Sequence, residues 1–441
     1  MDLIIAGAGR VGHLLAKTLC LRHNVTIIDK NAEILQVLQE SVDLLTITGD
    51  IEDPDTYSTL LNRRFDIFIA VTDSDEANLL STLIADDAID TDKKIIRLKN
   101  DYFARSSISE KLGISDAVFP FRATAESIRA LFDFPRANNV KSFEYTDYKL
   151  ISVFVHERVA EASSVAWFNS DTSVIVGIER EKHFFIPDEE EEILPHDLLY
   201  FFGDPVQIRR YCELIDTRMP EKIERIAIFG ADLLGIEIAK VLLDRGVQLK
   251  IIEKDAALCR RASEILQDRA TVIHSRYVEH IIYEEEQIGQ SDMIISTDTK
   301  DETNIIRCLE AKEYGIRKTV AINNNTDYYD LMHKLDIVAA RGPKTNAFYA
   351  ILEKIGSSTV IFEKHYCGGR GVIFQRRIFE NSPLIGKIVK PCKAKKSVAF
   401  ILRGGVLLPF IEKMTLEADD LITLFLDSEE EERVKRWIYA L

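Results

Sequence analysis

The sequence lacks the signals that mark disulfide-rich and metal-binding proteins. Its 441 residues include only six cysteines, and no two of them form a C-x-x-C pair. Scattered cysteines in a long chain are typical of small buried side chains in a reducing cytosol, so we expect no disulfide framework. The nine histidines show no metal-ligand spacing, and no metal site is expected.

Long apolar runs and a targeting segment are also missing. A membrane helix needs about 18–20 consecutive apolar residues, and the best late candidate, 398–411, is broken by Arg403–Gly405 and Pro409. The N-terminus enters a strand-like run at Asp2 with no basic region before it. We therefore expect a cytoplasmic protein without a transmembrane helix.

Basic residues are fewer than acidic residues in this sequence. The chain has 56 lysines and arginines against 72 aspartates and glutamates, which leaves a formal net charge of −16. Such a surface repels phosphate backbones and anionic lipid headgroups, so nucleic acid and bare membrane are poor partners. A hydrophobic content of 46% is ample for buried cores, and the length predicts roughly two to four domains.

What the sequence does contain is an internal repeat. Leu3–Gly12 (LIIAGAGRVG) and Ile226–Gly235 (IAIFGADLLG) are both apolar runs that enter a glycine turn. Val25–Asp29 and Leu249–Glu253 follow, and each is a strand-like run that ends in an acid. Repeated strands that alternate with helical patterns predict parallel sheets covered by helices on both faces.

The match continues further along each copy. Asp66–Thr72 (DIFIAVT) pairs with Asp292–Thr297 (DMIIST). The polar stretches that follow, 73–78 and 298–304, also correspond, with one extra residue in the second. The fold class is therefore α/β, with two tandem Rossmann-like, doubly wound parallel sheets.

Each repeat then changes to short β-rich runs, which predict a small α+β lobe after each Rossmann unit. The acidic run 188–192 is expected in a solvated loop, and 429–436 is expected to begin the last helix. The predicted domains are 1–135 and 221–356 for the Rossmann lobes, and 136–220 and 357–441 for the small lobes. The predicted strands of the small lobes are Ile151–Val155, Val174–Glu179, Leu198–Phe202, Val372–Arg377, Val398–Leu402, Gly405–Ile411 and Leu421–Phe425.

The first glycine turn has the context of a dinucleotide fingerprint. The pattern Gly7-x-Gly9-x-x-Gly12 follows a strand and opens a helix, and Asp29 lies 17 residues further on, at the end of the second strand. The helix N-terminus would offer N–H donors to the phosphates. Asp29 would accept hydrogen bonds from the ribose hydroxyls and repel a 2′-phosphate, which favours NAD(H) over NADP.

Other strand ends open onto the same crevice. Arg10 places a charge beside the phosphates that a dehydrogenase does not need, and it could pair with a phosphate of its own ligand or of a neighbouring subunit's. The remaining candidate nucleotide-binding residues of the first lobe are Ala8, Val11, Gly49, Asp50, Thr72, Asp73 and Arg97.

The second turn departs from this pattern. Gly230, Gly235 and Glu253 are retained, but Asp232 takes the place of the second glycine. A carboxylate about 4 Å from a phosphate costs roughly 4 kcal/mol at an effective dielectric constant of 20. We therefore expect the second site to bind weakly or not at all.

Two more positions distinguish the second copy. We align His274 and Ser275 with Gly49 and Asp50, and Ala321 with Arg97. Each difference removes a feature of the first site, which supports the expectation of unequal sites.

No catalytic constellation accompanies the cofactor motif. Two Tyr-x-x-x-Lys matches exist, Tyr145 to Lys149 and Tyr314 to Lys318, and about one is expected by chance among 14 tyrosines. Since the small lobes are also short for substrate domains, the pattern favours sensing over turnover.

The motifs together resemble the RCK (KTN) domain family. GAGRVG, Asp29, Thr48–Asp50, Val71–Asn78 and Arg97 are similar to an RCK N-lobe, and the C-terminal segment from Val398 is similar to its C-lobe. A tandem chain of this length resembles the TrkA-type regulatory subunits of Trk potassium-uptake systems.

The resemblance implies a nucleotide-gated regulator rather than an enzyme. It implies NAD(H) or adenine nucleotides such as ADP and ATP as ligands, and pairing through crossover helices, here 123–132 and 345–354. It also implies a homotetrameric ring docked beneath a membrane potassium-conducting subunit of the TrkH or TrkG type. Two alternatives remain open, an NAD-dependent oxidoreductase and a nucleotide sensor of another ion transporter.

Overall fold

The computed structural model describes residues 1–61, 63–159, 164–219, 222–275, 281–356, 361–411 and 414–441. Its first half contains a parallel sheet and then an antiparallel one. The strands are β1 (Asp2–Ala6), β2 (Asn24–Asp29), β3 (Leu45–Thr48), β4 (Arg64–Ala70), β5 (Asp90–Arg97), β6 (Asp116–Val118), β7 (Asn139–Ser142), β8 (Lys149–Phe154), β9 (Ser173–Arg180), β10 (His183–Phe185) and β11 (Leu198–Gly203). The helices are α1 (Arg10–Leu19), α2 (Ala32–Ser41), α3 (Asp75–Ala88), α4 (Tyr102–Arg105), α5 (Ile108–Lys111), α6 (Pro120–Asp133), α7 (Val165–Phe168) and α8 (Pro205–Ile215).

The second half repeats this arrangement. Its strands are β12 (Arg225–Phe229), β13 (Gln248–Glu253), β14 (Thr271–His274), β15 (Met293–Ser296), β16 (Lys318–Asn323), β17 (Val338–Arg341), β18 (Ile361–Tyr366), β19 (Gly371–Arg377), β20 (Ser397–Arg403), β21 (Val406–Pro409) and β22 (Leu421–Asp427). Its helices are α9 (Leu233–Leu243), α10 (Ala256–Leu266), α11 (Ile281–Glu285), α12 (Asp301–Glu313), α13 (Tyr329–Lys334), α14 (Pro343–Gly356) and α15 (Glu431–Ala440).

The two parallel sheets have the same doubly wound strand order. The first is β3-β2-β1-β4-β5-β6 and the second is β14-β13-β12-β15-β16-β17. The central strands are continuous apolar runs because helices bury both faces, and Leu3, Ile4 and Ile5 are fully buried. The order reverses beside β1 and β12, so the crevice lies at the glycine turns. The predicted α/β fold class is confirmed.

The two antiparallel sheets are also copies of one another. Their orders are β10-β9-β11-β8-β7 and β18-β19-β22-β20-β21, which become identical when one is read in reverse. Arg180 forms a two-pronged ion pair with the fully buried Asp197 (2.8 and 2.9 Å), and Arg403 does the same with Asp420 (2.7 Å for both). The spacing is 17 residues in both copies, and sequence reasoning missed these pairs.

The chain forms two compact units. One contains residues 1–124 and 342–355, and the other contains residues 125–341 and 356–441. The first unit therefore includes most of α14, which follows the second parallel sheet in sequence. Ala347 and Ile351 of α14 are fully buried among the core residues of α1 and the first sheet, such as Leu15.

In the other unit, the two small sheets share one apolar core. Phe202 of β11 packs against Phe425 of β22 with ring centroids 4.9 Å apart. The Tyr366 hydroxyl donates to the Val176 carbonyl (3.1 Å). No helix in the described part of the chain is long and apolar enough to cross a bilayer.

Candidate functional site

The turn between β1 and α1 is fixed by two glycines that the backbone requires. Gly7 has a φ of +108°, which side chains rarely tolerate, and its N–H donates to the Ile28 carbonyl (2.8 Å). A Cβ on Gly12 would lie 1.8 Å from the Gly7 carbonyl oxygen. These two glycines therefore allow the close packing of the helix against its strand.

Gly9 differs because the protein itself does not need a glycine there. Its φ of −60° and ψ of −176° suit any residue, and a Cβ would meet no atom of the described residues within 4 Å. Gly9 is the N-cap of α1, and no side chain in the described part of the protein caps this helix. The N–H groups of the first turn of a helix have no intrahelical acceptor, so this open end is suited to an anion.

Asp29 lies beside this open helix end. Its carboxylate accepts from the Ala8 N–H (2.6 Å) and from the Asn31 N–H (2.9 Å), one bond to each oxygen. The side chain is half-buried. Since a carboxylate has about four acceptor sites, Asp29 keeps capacity for two ribose hydroxyls.

The ends of β4 and β5 carry the third part of the crevice. Arg97 is 4% exposed and donates to the Asp73 carboxylate (2.8 Å) and the Thr72 carbonyl (3.1 Å). Desolvation raises the pKa of Asp73, but the bond and charge of Arg97, aided by Lys99, hold the pKa below its ordinary value. Arg97 therefore positions Asp73 as an ionised group at the edge of the crevice.

Asn78 holds these strand ends together, and sequence reasoning gave it no role. Its amide oxygen accepts from the Thr72 N–H (2.9 Å) and hydroxyl (2.7 Å), while its amide nitrogen donates to the Arg97 carbonyl (2.9 Å). Asn304 forms the matching bonds in the second lobe. The one available signal was that both copies of the repeat keep an asparagine here.

The structure brings most of the predicted residues of the first site to one edge of the sheet. A Cβ on Gly7 would lie 2.9 Å from the Thr72 methyl group, so the glycine turn and the end of β4 are in contact.

Arg10 is exposed at the start of α1, and no described residue pairs with it. The Val11 side chain is buried in the core, so it takes no part in the crevice. Asp50 is exposed beside Gly49 and accepts a local N–H from the loop.

The second glycine turn caps its own helix. The Asp232 carboxylate accepts from the Gly235 N–H (3.0 Å), which occupies a donor that the first lobe leaves open. Glu253 is 4% exposed and already accepts N–H bonds from Ala231, Lys254 and other backbone groups. Burial raises the pKa of Asp232 and the Glu253 charge adds to the shift, although the bond from Gly235 opposes it.

Hydrogen bonding also corrects the alignment of the two copies. The N–H of Asp298 donates to Asn304 as that of Thr72 does to Asn78, and each asparagine lies six residues after its donor. The expected extra residue in the second copy is therefore absent, and Asp298 rather than Thr297 corresponds to Thr72. A second carboxylate thus lies at this strand end, and its charge helps to raise the pKa of Asp232.

The assignment of Ala321 as the counterpart of Arg97 is wrong by one residue. Asn304 donates to the Ile322 carbonyl as Asn78 donates to the Arg97 carbonyl, both at 2.9 Å. Ile322 therefore takes the place of Arg97. The conclusion that the second lobe lacks this cation is unchanged.

The assignment of His274 and Ser275 is also shifted by one. Ser275 and Gly49 donate equivalent N–H bonds to the carbonyl of the acid that ends the second strand, at 2.9 and 3.1 Å. Ser275 therefore corresponds to Gly49. The counterpart of Asp50 lies outside the described residues.

Both glycine turns fall within stretches that match one protein family. The model of the TrkA-N domain family matches residues 3–120 and 226–341, more than half of the chain. The chain belongs to the TrkA-N domain family.

Full-length relatives extend this match beyond the TrkA-N domains. The chain is 27% identical over 446 residues to the Trk system potassium uptake protein TrkA homolog of Archaeoglobus fulgidus, covering 99% of both chains. It is 26% identical to the Trk system potassium uptake protein TrkA of Vibrio alginolyticus, covering 97% of this chain and 96% of the other.

Solved structures share the fold. The structure of the GsuK channel bound to NAD has a TM-score of 0.63 at 20% identity, covering 100% of this chain and 79% of that one. The crystal structure of the GsuK RCK domain has the same TM-score at 18% identity, covering 100% of this chain and 95% of that one. The tandem arrangement is therefore an RCK fold.

The Tyr-x-x-x-Lys match in the second TrkA-N domain is structural. Lys318 is 1% exposed in β16 and donates to the Ala137 carbonyl (2.6 Å), while Tyr314 stacks on Tyr283 with centroids 4.3 Å apart. Desolvation lowers the pKa of Lys318 to about 8. Among the described residues, no His, Cys, Asp or Glu group has the arrangement to hold a metal ion.

Lys318 predicts an unusual dependence of stability on pH. Its pKa of about 8 in the folded protein lies below the ordinary value of 10.5, so the unfolded chain binds more protons between these values. Stability relative to a Lys318→Met variant should therefore rise as the pH increases from about 8 to 10.5. Urea unfolding of both proteins across this range measures the difference, and a difference that is flat or falling would contradict the assignment.

Proposed function

We propose that this chain is the nucleotide-binding regulatory subunit of a Trk-type potassium-uptake transporter. The names and full-length coverage of its relatives support this proposal. We take the domains to be 1–135 and 221–356 for the N-lobes, and 136–220 and 357–441 for the C-lobes. In this proposal, a homotetrameric ring of the subunit docks at the cytoplasmic face of the membrane on a potassium-conducting subunit of the TrkH or TrkG type.

The observation that carries the proposal is the open N-terminus of α1. Gly9 leaves the helix uncapped and free of side-chain bulk, whereas the matching helix α9 is capped by Asp232. The same fold therefore builds one end that accepts a phosphate and one that opposes it. We assign the pyrophosphate or phosphate chain of NAD(H), ADP or ATP to the first lobe.

The remaining residues of the first site supply selectivity in this proposal. Asp29 accepts from the ribose hydroxyls and disfavours the 2′-phosphate of NADP. Gly49, Asp50, Thr72 and Asp73 flank the nucleotide at the other strand ends. A hydrogen bond from a ribose hydroxyl to the charged Asp29 carboxylate contributes about 1.5–3 kcal/mol to binding.

Regulation fits the site better than hydride transfer does. The lysine of one Tyr-x-x-x-Lys match is buried and bonded to a backbone carbonyl. The tyrosine of the other, Tyr145, packs its ring against Phe362 and Phe379 (centroids 4.9 and 6.0 Å). Steady oxidation of NADH with a small substrate would instead support an oxidoreductase.

The test of the proposal is a transport measurement in which nucleotide acts as an allosteric ligand. A ligand shifts a conformational equilibrium only by its difference in affinity for the two states, typically 1–3 kcal/mol. Arg10 is exposed at the phosphate end of α1 and is our candidate for that difference. An Arg10→Ala protein should still bind the adenosine part of the nucleotide through Asp29. Potassium or rubidium uptake with this variant should change little when nucleotide is added.

The measurement uses vesicles that carry the membrane subunit and this protein, with and without nucleotide. Arg22→Ala is the control because Arg22 is exposed and lies after α1. A full nucleotide response in Arg10→Ala removes Arg10 from the mechanism. Uptake that is indifferent to the protein at every nucleotide concentration overturns the proposed function itself.

Unequal sites give a second measurable expectation. Calorimetry should find about one tight nucleotide per chain, because Asp232 and Asp298 oppose phosphate in the second lobe and Ile322 replaces the cation there. An Asp232→Gly substitution alone should not restore a second tight site, since Asp298 and Ile322 remain. Two equivalent tight sites in the unmodified chain would show that this interpretation is wrong.

A further inference from the structure

A cavity of about 670 Å³ lies within the unit formed by residues 125–341 and 356–441, and its described lining includes no residue of either glycine turn. Its walls come from the end of α6 and the segment after it, from α8, from the segment before β12, and from Arg245 after α9. The lining residues are Phe132, Asp133, Phe134, Pro135, Arg136, Arg209, Cys212, Glu213, Lys222, Ile223 and Arg245.

The charge of this lining is opposite to that of the protein. Among the described lining residues, four cationic side chains face the cavity against two carboxylates, and Lys222 also pairs with Glu224 next to it (2.7 Å). The lining therefore keeps an excess of one positive charge in a chain whose formal net charge is −16. The Cys212 thiol adds no negative charge, because burial raises its pKa to about 12. A concave surface of this sign concentrates anions.

Arg136 has hydrogen-bonding capacity that the described residues leave unused. Its side chain is 13% exposed, and its Nε is buried without a hydrogen-bond partner in the part of the chain that the structure describes. One Nη lies 3.7 Å from Glu213 and the other makes a long bond to the Met219 carbonyl (3.4 Å). Because the Nε atom is closed to solvent, the two Nη atoms, whose contacts within the protein are long, are the donors left for an anion in the cavity.

Arg209, an exposed residue, is held at the same cavity by aromatic packing and one backbone bond. Its guanidinium carbon lies 5.0 Å from the Phe134 ring centroid, and one Nη donates to the Asp133 carbonyl (3.2 Å). Arg245 neutralises the Asp133 carboxylate (2.8 Å). Since no carboxylate pairs with the Arg209 guanidinium among the described residues, most of its donors remain available.

We propose that this cavity binds a phosphate-bearing small molecule. Arg136 and Arg209 hold the phosphoryl oxygens, because guanidinium groups match phosphate geometry with paired N–H bonds. The half-buried Phe132 ring packs against the organic part of the ligand. The ligand then touches segments on both sides of the connection between the first small sheet and the second parallel sheet, so it stabilises that connection.

The probes for this site are phenyl phosphate and inorganic phosphate, titrated into the full-length chain by calorimetry. A Gly9→Asp background removes phosphate binding at the first glycine turn. Phenyl phosphate should bind more tightly than inorganic phosphate, since only the former has a ring to pack on Phe132. An Arg209→Ala substitution should weaken phenyl phosphate by about tenfold or more, which corresponds to losing one charge-assisted hydrogen bond.

The matched control is Arg210→Ala, because Arg210 is the next residue of α8, is exposed and does not line the cavity. Arg210→Ala should leave the affinity for phenyl phosphate unchanged. Arg209→Ala and Arg210→Ala are both made in the Gly9→Asp background, so the first glycine turn is the same in the two proteins. Arg136→Met should give a loss similar to that of Arg209→Ala, with an unaltered thermal unfolding temperature as evidence of folding. Equal affinities in Arg209→Ala and Arg210→Ala, or no saturable binding to the parent chain at about 1 mM probe, would overturn the proposal.

Discussion

A Gly9→Asp protein is expected to lose about a thousandfold in nucleotide affinity while it remains folded. The second lobe shows that an aspartate fits this turn, because Asp232 has a φ of −70° and a ψ of −175°, close to the −60° and −176° of Gly9. The new carboxylate would cap α1 and lie where we place the phosphates. Repulsion at about 4 Å costs roughly 4 kcal/mol at an effective dielectric constant of 20, or about three decades in affinity.

Calorimetric titration with NAD, NADH, ADP and ATP measures this loss. Gly9→Asn is the matched control, because asparagine has nearly the shape of aspartate and can cap the helix without a charge. It should lose less affinity than Gly9→Asp. Undiminished binding in Gly9→Asp would mean that the nucleotide does not sit on this turn.

A Gly12→Ala protein is expected to lose stability by about 3 kcal/mol or more. The added Cβ would lie 1.8 Å from the Gly7 carbonyl oxygen, so the helix must move away from its strand. Gly9→Ala adds the same methyl group in the same turn, where no described residue has an atom within 4 Å, and should unfold near the parent temperature. Thermal unfolding of the three proteins without ligand measures the difference.

The second lobe separates the structural role of this glycine from a binding role. A Cβ on Gly235 would lie 2.1 Å from the Gly230 carbonyl oxygen, so Gly235→Ala should also be costly, although we expect no tight ligand there. If Gly12→Ala and Gly9→Ala unfold at the same temperature, the close packing of α1 against β1 does not explain why a glycine is needed at position 12.

Much of the fold was predictable from the sequence because the two copies of the repeat share recognisable strand and turn residues. The glycine turns, the acids that end the second strands, and the strands β9, β11, β19 and β22 follow from apolar runs bounded by turn residues. The edge strands β7, β10 and β18 were missed. The first two are only four and three residues long, and all three carry polar or charged residues that break the apolar pattern. A short edge strand is stabilised mainly by hydrogen bonds to the neighbouring strand. The residue pattern within the edge segment alone carries no information about those bonds.

The alignment errors at the second site have a specific cause. Matching letters placed Thr297 opposite Thr72, and this chance identity then required an extra residue. Hydrogen bonds place Thr297 opposite Val71 instead, because both donate an N–H to the end of the neighbouring first strand (both 2.9 Å). Strand register depends on which backbone groups pair, so the exact counterparts of Arg97 and Gly49 required the structure.

The position of α14 has a consequence for how the chain is made. Ala347 and Ile351 complete the apolar core of the first unit, but residues 125–341 must leave the ribosome before they arrive. At about 5–20 residues per second, synthesis of this intervening stretch takes on the order of ten seconds or more. During that time the nascent first lobe exposes the apolar surface that α14 later covers, so chaperone binding during translation should concentrate there and end when α14 emerges.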